Sequence, residues 1–386
     1  MASAVVYRKS LNKFGEEVCG DNYQVSKTKD SKIVVLSDGL GSGIKASILS
    51  ILTTEIISTM MRMGVDIDEV VNTIAKTLPV CKVRGIAYST FTIIQIYNNG
   101  NIRIVNYDNP SPVIIKKGDI YYPDYKETLV DDKKIFVTNI TLDPNDFIFA
   151  LSDGIVHAGL GNLMDFGWGL DNIAPYLKRI YRRTNDLKYI VDNLVELTDS
   201  YYGFRAGDDA TMVGIKITEN PRCMILTGPP LDPKTDYFYV QKLLDYDGKK
   251  VVCGGTTSNI VSRISKKELE IDIKDIKKND LPPCGKMSGI DLVTEGVLTL
   301  QALNKILLCC KKNMYELDFD GNDNAAEKLF LILRDCDEID FLVGRKVNAF
   351  YHNPALPFDM SIRSNLIRDI SKNLERLGKE IKVEYC

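Results

Sequence analysis

Four places in the sequence set a carboxylate beside a glycine where an extended run changes direction. Asp21 follows Gly20 after a short extended stretch, and Asp38 closes the apolar run Ile33-Val34-Val35-Leu36 within Ser37-Asp38-Gly39-Leu40-Gly41-Ser42-Gly43. Asp153 closes Phe147-Ile148-Phe149-Ala150-Leu151 in a second Ser-Asp-Gly turn, and Asp208-Asp209 follow Gly207 at the start of another strand. Strand ends far apart in sequence can converge in space. Carboxylates that meet there repel one another unless cations neutralise them. Oxygen donors without histidine or cysteine favour Mg²⁺ or Mn²⁺ over zinc. Two such ions would acidify a bridging water and neutralise phosphoryl oxygens during in-line attack. No covalent enzyme intermediate is then required, which suits a chain with only two histidines, His157 and His352.

The heptad around Asp38 has rival readings. A phosphate loop of the G-x-x-x-x-G-K-[ST] type also joins strand, glycines and helix, but the spacing fails. Ile44 separates Gly43 from Lys45, and Ala46 separates Lys45 from Ser47. An exposed turn aspartate is the commonest fate of a D-G pair, and the heptad alone leaves that reading ahead.

The elements that must position these residues fall into two halves. At 386 residues the chain suits two domains, and 45% hydrophobic with 26% charged residues is a globular balance. A formal net charge of −3 gives no electrostatic case for nucleic acid or an anionic membrane. Nine cysteines without a C-x-x-C pair point to reduced, buried thiols. Residues 1–15 lack a signal-peptide core and no uninterrupted apolar span suits a bilayer, so a cytoplasmic protein is expected.

In the first half, Ile44, Ile48, Leu49, Ile51, Leu52, Ile56 and Met60 recur at helical spacing after the heptad, and a second helix runs from Asp66 to Leu78. Strands follow over 86–97 and 102–107, joined by Asn98-Asn99-Gly100, a hairpin signal. Helices over 170–183 and 186–201 precede a last strand, 212–217. Glu219-Asn220-Pro221 reads as the domain boundary. Beyond it, over 222–386, strands alternate with helices, which argues for a smaller α/β domain with a mainly parallel sheet.

The ordered set Gly20-Asp21-Asn22, Ser37-Asp38-Gly39-Leu40-Gly41, Ser152-Asp153-Gly154 and Gly207-Asp208-Asp209-Ala210-Thr211 resembles the metal-dependent PPM/PP2C protein phosphatases. Within them it is similar to the bacterial SpoIIE-type branch. Tyr88-Ser89-Thr90-Phe91-Thr92 and Asn109-Pro110-Ser111-Pro112 resemble that branch's A-T-F and N-x-P stretches. The resemblance covers residues 1–219 and implies an α+β domain, an α-β-β-α sandwich. It further implies hydrolysis of phosphoserine or phosphothreonine on a regulatory protein, with two Mn²⁺ or Mg²⁺ ions. By the same resemblance Asp38 bridges both ions, the Gly39 carbonyl ligates one, Asp153 and Asp208 hold one, and Asp21 serves the other. Asp209 would support a third, weaker ion. The phosphate-clamping arginine of many eukaryotic relatives has no certain counterpart, Arg8 being nearest, and Leu40 replaces their histidine. His157 reads better as a partly buried structural histidine, and Trp168 as a core or flap anchor.

In the second half, Gly254-Gly255-Thr256-Thr257-Ser258 stands where strand gives way to helix and suits an anion, with Gly228-Pro229-Pro230 and Glu295-Gly296 at neighbouring strand ends. An ordinary β-α turn explains the same residues equally well. Family resemblance implies a regulatory domain here, sensing a small anionic effector or a partner, and a homodimer through the helix after the heptad. Two other functions compete with protein phosphatase: a catalytically weak pseudo-phosphatase used for binding, and a small-molecule phosphatase.

Overall fold

Alternating burial along the extended runs determines which sheet face each side chain meets, and hence the layers. The computed structural model describes residues 2–77, 89–130, 133–161, 163–219, 221–271, 284–311, 314–317, 319, 324–346 and 362–386. Tyr88, Leu78 and the start of the strand expected from residue 86 lie outside them. The chain divides into two units, Met1–Glu219 and Asn220–Cys386.

The first unit contains β1 (Ala2–Leu11), β2 (Asp21–Lys27), β3 (Ser31–Gly39), α1 (Gly43–Arg62), α2 (Ile67–Thr77), β4 (Ser89–Tyr97), β5 (Asn101–Tyr107), β6 (Val113–Lys116), β7 (Asp119–Tyr121), β8 (Lys126–Val130), β9 (Lys133–Thr141), β10 (Phe147–Leu151), α3 (Asp153–Val156), α4 (Leu170–Tyr181), α5 (Leu187–Tyr201) and β11 (Ala210–Glu219). Two antiparallel sheets form, ordered β1-β11-β10-β6-β7 and β2-β3-β4-β5-β9-β8. Ile33 and Val35 pack under Ile57, Met61, Val70 and Ile74 of α1 and α2. Val34 and Leu36, equally buried, point to the opposite face. Phe147, Phe149 and Leu151 likewise meet Ile173, Leu177, Ile190 and Leu194 of α4 and α5, while Ile148 is buried on the other side. Each sheet thus has a helical face and a sheet-facing face, the α-β-β-α sandwich. Each fully buried aliphatic side chain contributes about 1.5–3 kcal/mol. Asp186 caps α5, its carboxylate accepting from the Tyr189 N–H (3.1 Å).

Helix α1 forms where the apolar spacing expects a helix, but most of that apolar stripe does not face the sheet. Ile44, Ile48, Ile51 and Leu52 are exposed, whereas Ala46, Ser47, Ser50, Thr53, Thr54 and Ser58 are buried. Small side chains let the helix backbone approach β3 closely. Three of the buried hydroxyls are satisfied: Ser50 donates to the Ser47 carbonyl (3.0 Å), Thr53 to Leu49 (2.9 Å), and Asn22 Nδ2–H donates to Thr54 Oγ1 (2.6 Å), whereas Ser58 Oγ is buried without a partner. By length and composition α1 could also cross a bilayer, whereas the sequence reading expects no such span. In this fold it packs as one layer of the sandwich.

The second unit contains β12 (Arg222–Thr227), α6 (Asp236–Leu244), β13 (Lys249–Cys253), α7 (Gly255–Ser265), β14 (Glu270–Ile271), β15 (Gly285–Met287), β16 (Ile290–Thr294), α8 (Val297–Cys309), α9 (Ala325–Asp335), β17 (Glu338–Val343), α10 (Ile362–Arg376) and β18 (Glu380–Tyr385). Its sheet runs β14-β15-β16-β13-β12-β17-β18. From β16 to β18 every pairing is parallel, and β14 and β15 extend one edge antiparallel. Met224, Leu226 and Val252 pack with Val240, Leu243 and Val261 of α6 and α7. Cys223, Ile225 and Ile339 pack on the other face with Leu300, Leu303, Leu329, Ile367 and Ile370 of α8, α9 and α10. The described cysteines are free thiols, buried as expected except for Cys19, which is partly buried, and Cys309, which is exposed.

Candidate metal centre

Antiparallel pairing of β2 with β3 sets Asp21 directly opposite Asp38. The next pairing sets Asp38 opposite Thr90 of β4. In the other sheet, β10 runs out at Ser152, so Asp153 opens the short helix α3, and Asp208 and Asp209 lie just before β11. Ser152 joins the two sheets: its hydroxyl donates to Asp21 Oδ2 (2.8 Å) and accepts from the Thr211 N–H (2.8 Å). Thr211 Oγ1 donates onward to Ser10 Oγ (2.8 Å).

Two glycines make these junctions possible by close approach. A Cβ on Gly39 would stand 2.0 Å from the Ala46 carbonyl oxygen, so only glycine lets β3 turn beneath α1. A Cβ on Gly154 would stand 2.1 Å from the Asp209 carbonyl oxygen. The Gly154 carbonyl is held by the Tyr202 hydroxyl, which donates to it (2.7 Å).

The carboxylates feel one another. Burial pushes the Asp38 pKa far above the usual carboxylate range, and the charges of Asp21, Asp153 and Asp208 push the same way. Asp21 is raised by burial and by the charges of Asp209 and Asp153, with Ser152 and Thr211 hydrogen bonds opposing. Asp208 is raised by burial and by Asp153. Asp21 Oδ1 and Asp209 Oδ2 are buried without a hydrogen-bond partner. Among the described residues no group of three or more His, Cys, Asp or Glu side chains is already gathered as ion ligands. Orphaned oxygens, carboxylates raised by burial and by one another's charge, and an all-oxygen donor set fit a hard divalent cation.

The remaining candidates divide. Asp209 is buried, accepting from the Lys13 N–H through Oδ1 (3.0 Å), and its own N–H donates to Asp208 Oδ1 (3.0 Å). His157 is exposed, with Nδ1 4.0 Å from Asp153 Oδ2, which corrects the expectation of a partly buried structural residue. Its position ending the single turn of α3 leaves no core for it to enter. Trp168 is buried edge-on to Tyr176 and Tyr201, an anchor for α4 and α5. Arg8 lies over the Tyr23 ring and donates to Ser10 Oγ (3.2 Å). Ser152, Thr211 and Ser10 escaped sequence reasoning. The first two stand inside the Ser-Asp-Gly and Gly-Asp-Asp-x-Thr stretches, so the signal was present but read through the carboxylates alone. Glu16 was missed as well; it accepts from Ser42 Oγ (3.1 Å) beside the start of α1. In the second unit, Gly254-Gly255-Thr256-Thr257-Ser258 opens α7: Gly255 and Thr256 are exposed, Thr257 and Ser258 are buried, and Ser258 Oγ donates to the Gly255 carbonyl (2.9 Å).

Residues 28–218 match the family model described as Stage II sporulation protein E (SpoIIE). Stage II sporulation protein E of Bacillus subtilis (strain 168) is 24% identical over 224 residues, covering 54% of this chain and 25% of that protein. The protein of the same name from Priestia megaterium is 23% identical over 216 residues, covering 54% and 35%. The chain therefore spans between a quarter and about a third of the length of these relatives. Among solved structures, the PP2C phosphatase domain of SpoIIE from Bacillus subtilis with a fragment of its regulatory domain aligns with TM-score 0.49 and 21% identity, covering 57% of this chain and 63% of that one. The RsbU and RsbW domains of Rv1364c from Mycobacterium tuberculosis align with TM-score 0.46 and 16% identity, covering 71% of each chain.

Proposed function

We propose that this chain, whose N-terminal unit belongs to the SpoIIE-type branch of the PPM/PP2C phosphatases, hydrolyses phosphoserine or phosphothreonine on a regulatory protein. In this reading Asp21, Asp38, the Gly39 carbonyl, Asp153 and Asp208 hold two Mn²⁺ or Mg²⁺ ions, with a third, weaker one near Asp209. The observation that carries it is the convergence of buried carboxylates from both sheets, Asp21 opposite Asp38 and both within electrostatic reach of Asp153, with two buried carboxylate oxygens left unpartnered. Such ions, when bound, supply an activated water and the positive charge that neutralises phosphoryl oxygens.

The chain's own residues have definable tasks. Ser152 fixes Asp21 Oδ2 and leaves Oδ1 available to a ligand. Thr211 holds Ser152 in turn, so the orientation of Asp21 depends on a relay that begins at Ser10. Tyr202 fixes the Gly154 carbonyl and with it the turn that presents Asp153. The second unit would act as a sensory domain for this activity. The outward apolar residues of α1 support a homodimer, and Ile48→Glu would then yield monomers by sedimentation velocity.

The test is manganese-stimulated release of p-nitrophenol from its phosphate ester, expected in the unaltered chain and abolished in Asp38→Ala. Rates on phosphoserine or phosphothreonine peptides exceeding those on nucleotides and sugar phosphates would favour the protein substrate. The reverse order would make it a small-molecule phosphatase. Manganese binding without hydrolysis of any ester would make it a pseudo-phosphatase.

A further inference from the structure

The parallel strands of the second unit, numbered in chain order β12, β13, β16, β17 and β18, lie in the order 3-2-1-4-5. Chain direction across the sheet reverses between β12 and β17. Ligands of open α/β sheets collect outside the carboxyl ends of the strands at such a reversal. Register places Thr294, Cys253, Thr227 and Val343 side by side along that edge. All four share the face of Cys223, Ile225 and Val251, where α8 and α10 pack.

Helices α8 and α10 run in step. Asn373 Nδ2–H donates to Asn304 Oδ1 (2.9 Å) and Arg376 Nη2–H to the Leu307 carbonyl (3.1 Å), each pair 69 positions apart. Near the start of α10, Arg363 lies within electrostatic reach of Glu295, the residue after β16. Arg363 also reaches the reversal point. Its Nη1–H donates to the Gly344 carbonyl (3.0 Å), and a Cβ on Gly228 would stand 2.2 Å from that nitrogen. Gly228, at φ +80°, is therefore needed both for its backbone conformation and to leave room for the guanidinium.

This cation is incompletely answered. Its one hydrogen bond among the described residues goes to a neutral carbonyl, and its remaining N–H groups reach solvent. Burial pulls the Arg363 pKa below the usual arginine value, with Glu295 opposing, and that carboxylate is already engaged by the Leu298 N–H (3.1 Å). Two hydroxyls add to the account. Thr227 Oγ1, on a fully buried residue of the row, and Thr299 Oγ1, in the first turn of α8, are both buried without partners. A buried unpaired hydroxyl is costly, so one at a ligand-collecting edge is informative. The turn after β12 carries Pro229 and Pro230, which have no N–H, so it lacks the amide cradle of a pyrophosphate site. Recognition of charge falls to Arg363 instead, and a single guanidinium fork suits one carboxylate or one phosphate group.

We propose that the second unit binds a small organic anion, bearing one carboxylate or phosphate group, at the carboxyl edge of its sheet between β12 and β17. Arg363 pairs with the anion, and the row Thr294, Cys253 and Thr227 forms the floor. This site lies on the α8 and α10 face, not at the Gly254–Ser258 turn, and does not rest on the phosphatase reading. The test is hydrogen exchange by mass spectrometry on the full chain in EDTA, titrated with inorganic phosphate or with acetate against sodium chloride of equal ionic strength. One of the two anions should slow exchange over 222–232 and 290–300, and which one does so identifies the headgroup. Arg363→Gln should weaken that protection at least about tenfold in concentration. Protection by neither anion, or equal protection in Arg363→Gln, overturns the proposal. If Arg363→Gln melts earlier than the parent, Thr227→Val decides: weaker protection upholds the site, and unchanged protection overturns it.

Discussion

The two units each gather polar groups at strand ends, and they do so with opposite chemistry. In the first, carboxylates converge from two antiparallel sheets, and burial together with neighbouring negative charge makes Asp21, Asp38 and Asp208 harder to ionise. In the second, parallel strands end in hydroxyls and a thiol, and a half-buried guanidinium stands against Gly228 and Gly344 just past two of those ends. A repelling cluster of anions calls for cations, and an under-paired cation calls for an anion. The sign of the unmet charge, more than the fold, distinguishes what each edge is built to receive.

The largest expected effect breaks the first edge mechanically. Gly39→Ala drives a Cβ into the Ala46 carbonyl, backbone against backbone, and should destabilise the N-terminal unit by more than about 3 kcal/mol in urea unfolding. Next is Ser152→Ala, which removes the donor that fixes Asp21 Oδ2. It should weaken manganese affinity about 10- to 100-fold by calorimetry while the unit stays folded.

A pH comparison sharpens the contrast. In EDTA, Asp21 and Asp38 bind protons more tightly folded than unfolded, so their contribution to stability is greatest at low pH. It declines as pH rises from about 4, the ordinary carboxylate value, through the folded pKa of Asp21 at about 7. Asp38→Asn should flatten that decline in melts taken across this range, and an identical slope would show that Asp38 carries no such burden. The smallest effect belongs to the second edge. Thr227→Val replaces an orphaned hydroxyl with a methyl of similar size, and should be neutral or stabilise by up to about 1 kcal/mol in ligand-free protein.

How far each edge can be read from sequence follows the range of the interactions. Asp38 and Asp153 advertise themselves because strand, Ser-Asp-Gly turn and helix start are contiguous. The hydroxyl of Ser152 sat in the same tripeptide, yet its bond to Asp21 joins residues 131 positions apart and has no local signature. The helical period of α1 was legible, but not which side faces the sheet. Hydrophobicity predicts a buried isoleucine stripe, and close packing against Gly39 selects the side bearing Ala46 and the serines and threonines. In the second unit, alternation of strands and helices showed an α/β sheet. Strand order is set by pairing between distant segments, so neither the reversal between β12 and β17 nor the meeting of Gly228 with Arg363 could be seen in the chain.

The most direct measurement is a calorimetric titration of Mn²⁺ into the full-length chain and into Asp38→Asn. Saturable uptake of a pair of ions by the parent, lost in the variant, is the expected result. Absence of uptake by the parent, or equal uptake by both, would contradict a metal centre built on Asp38.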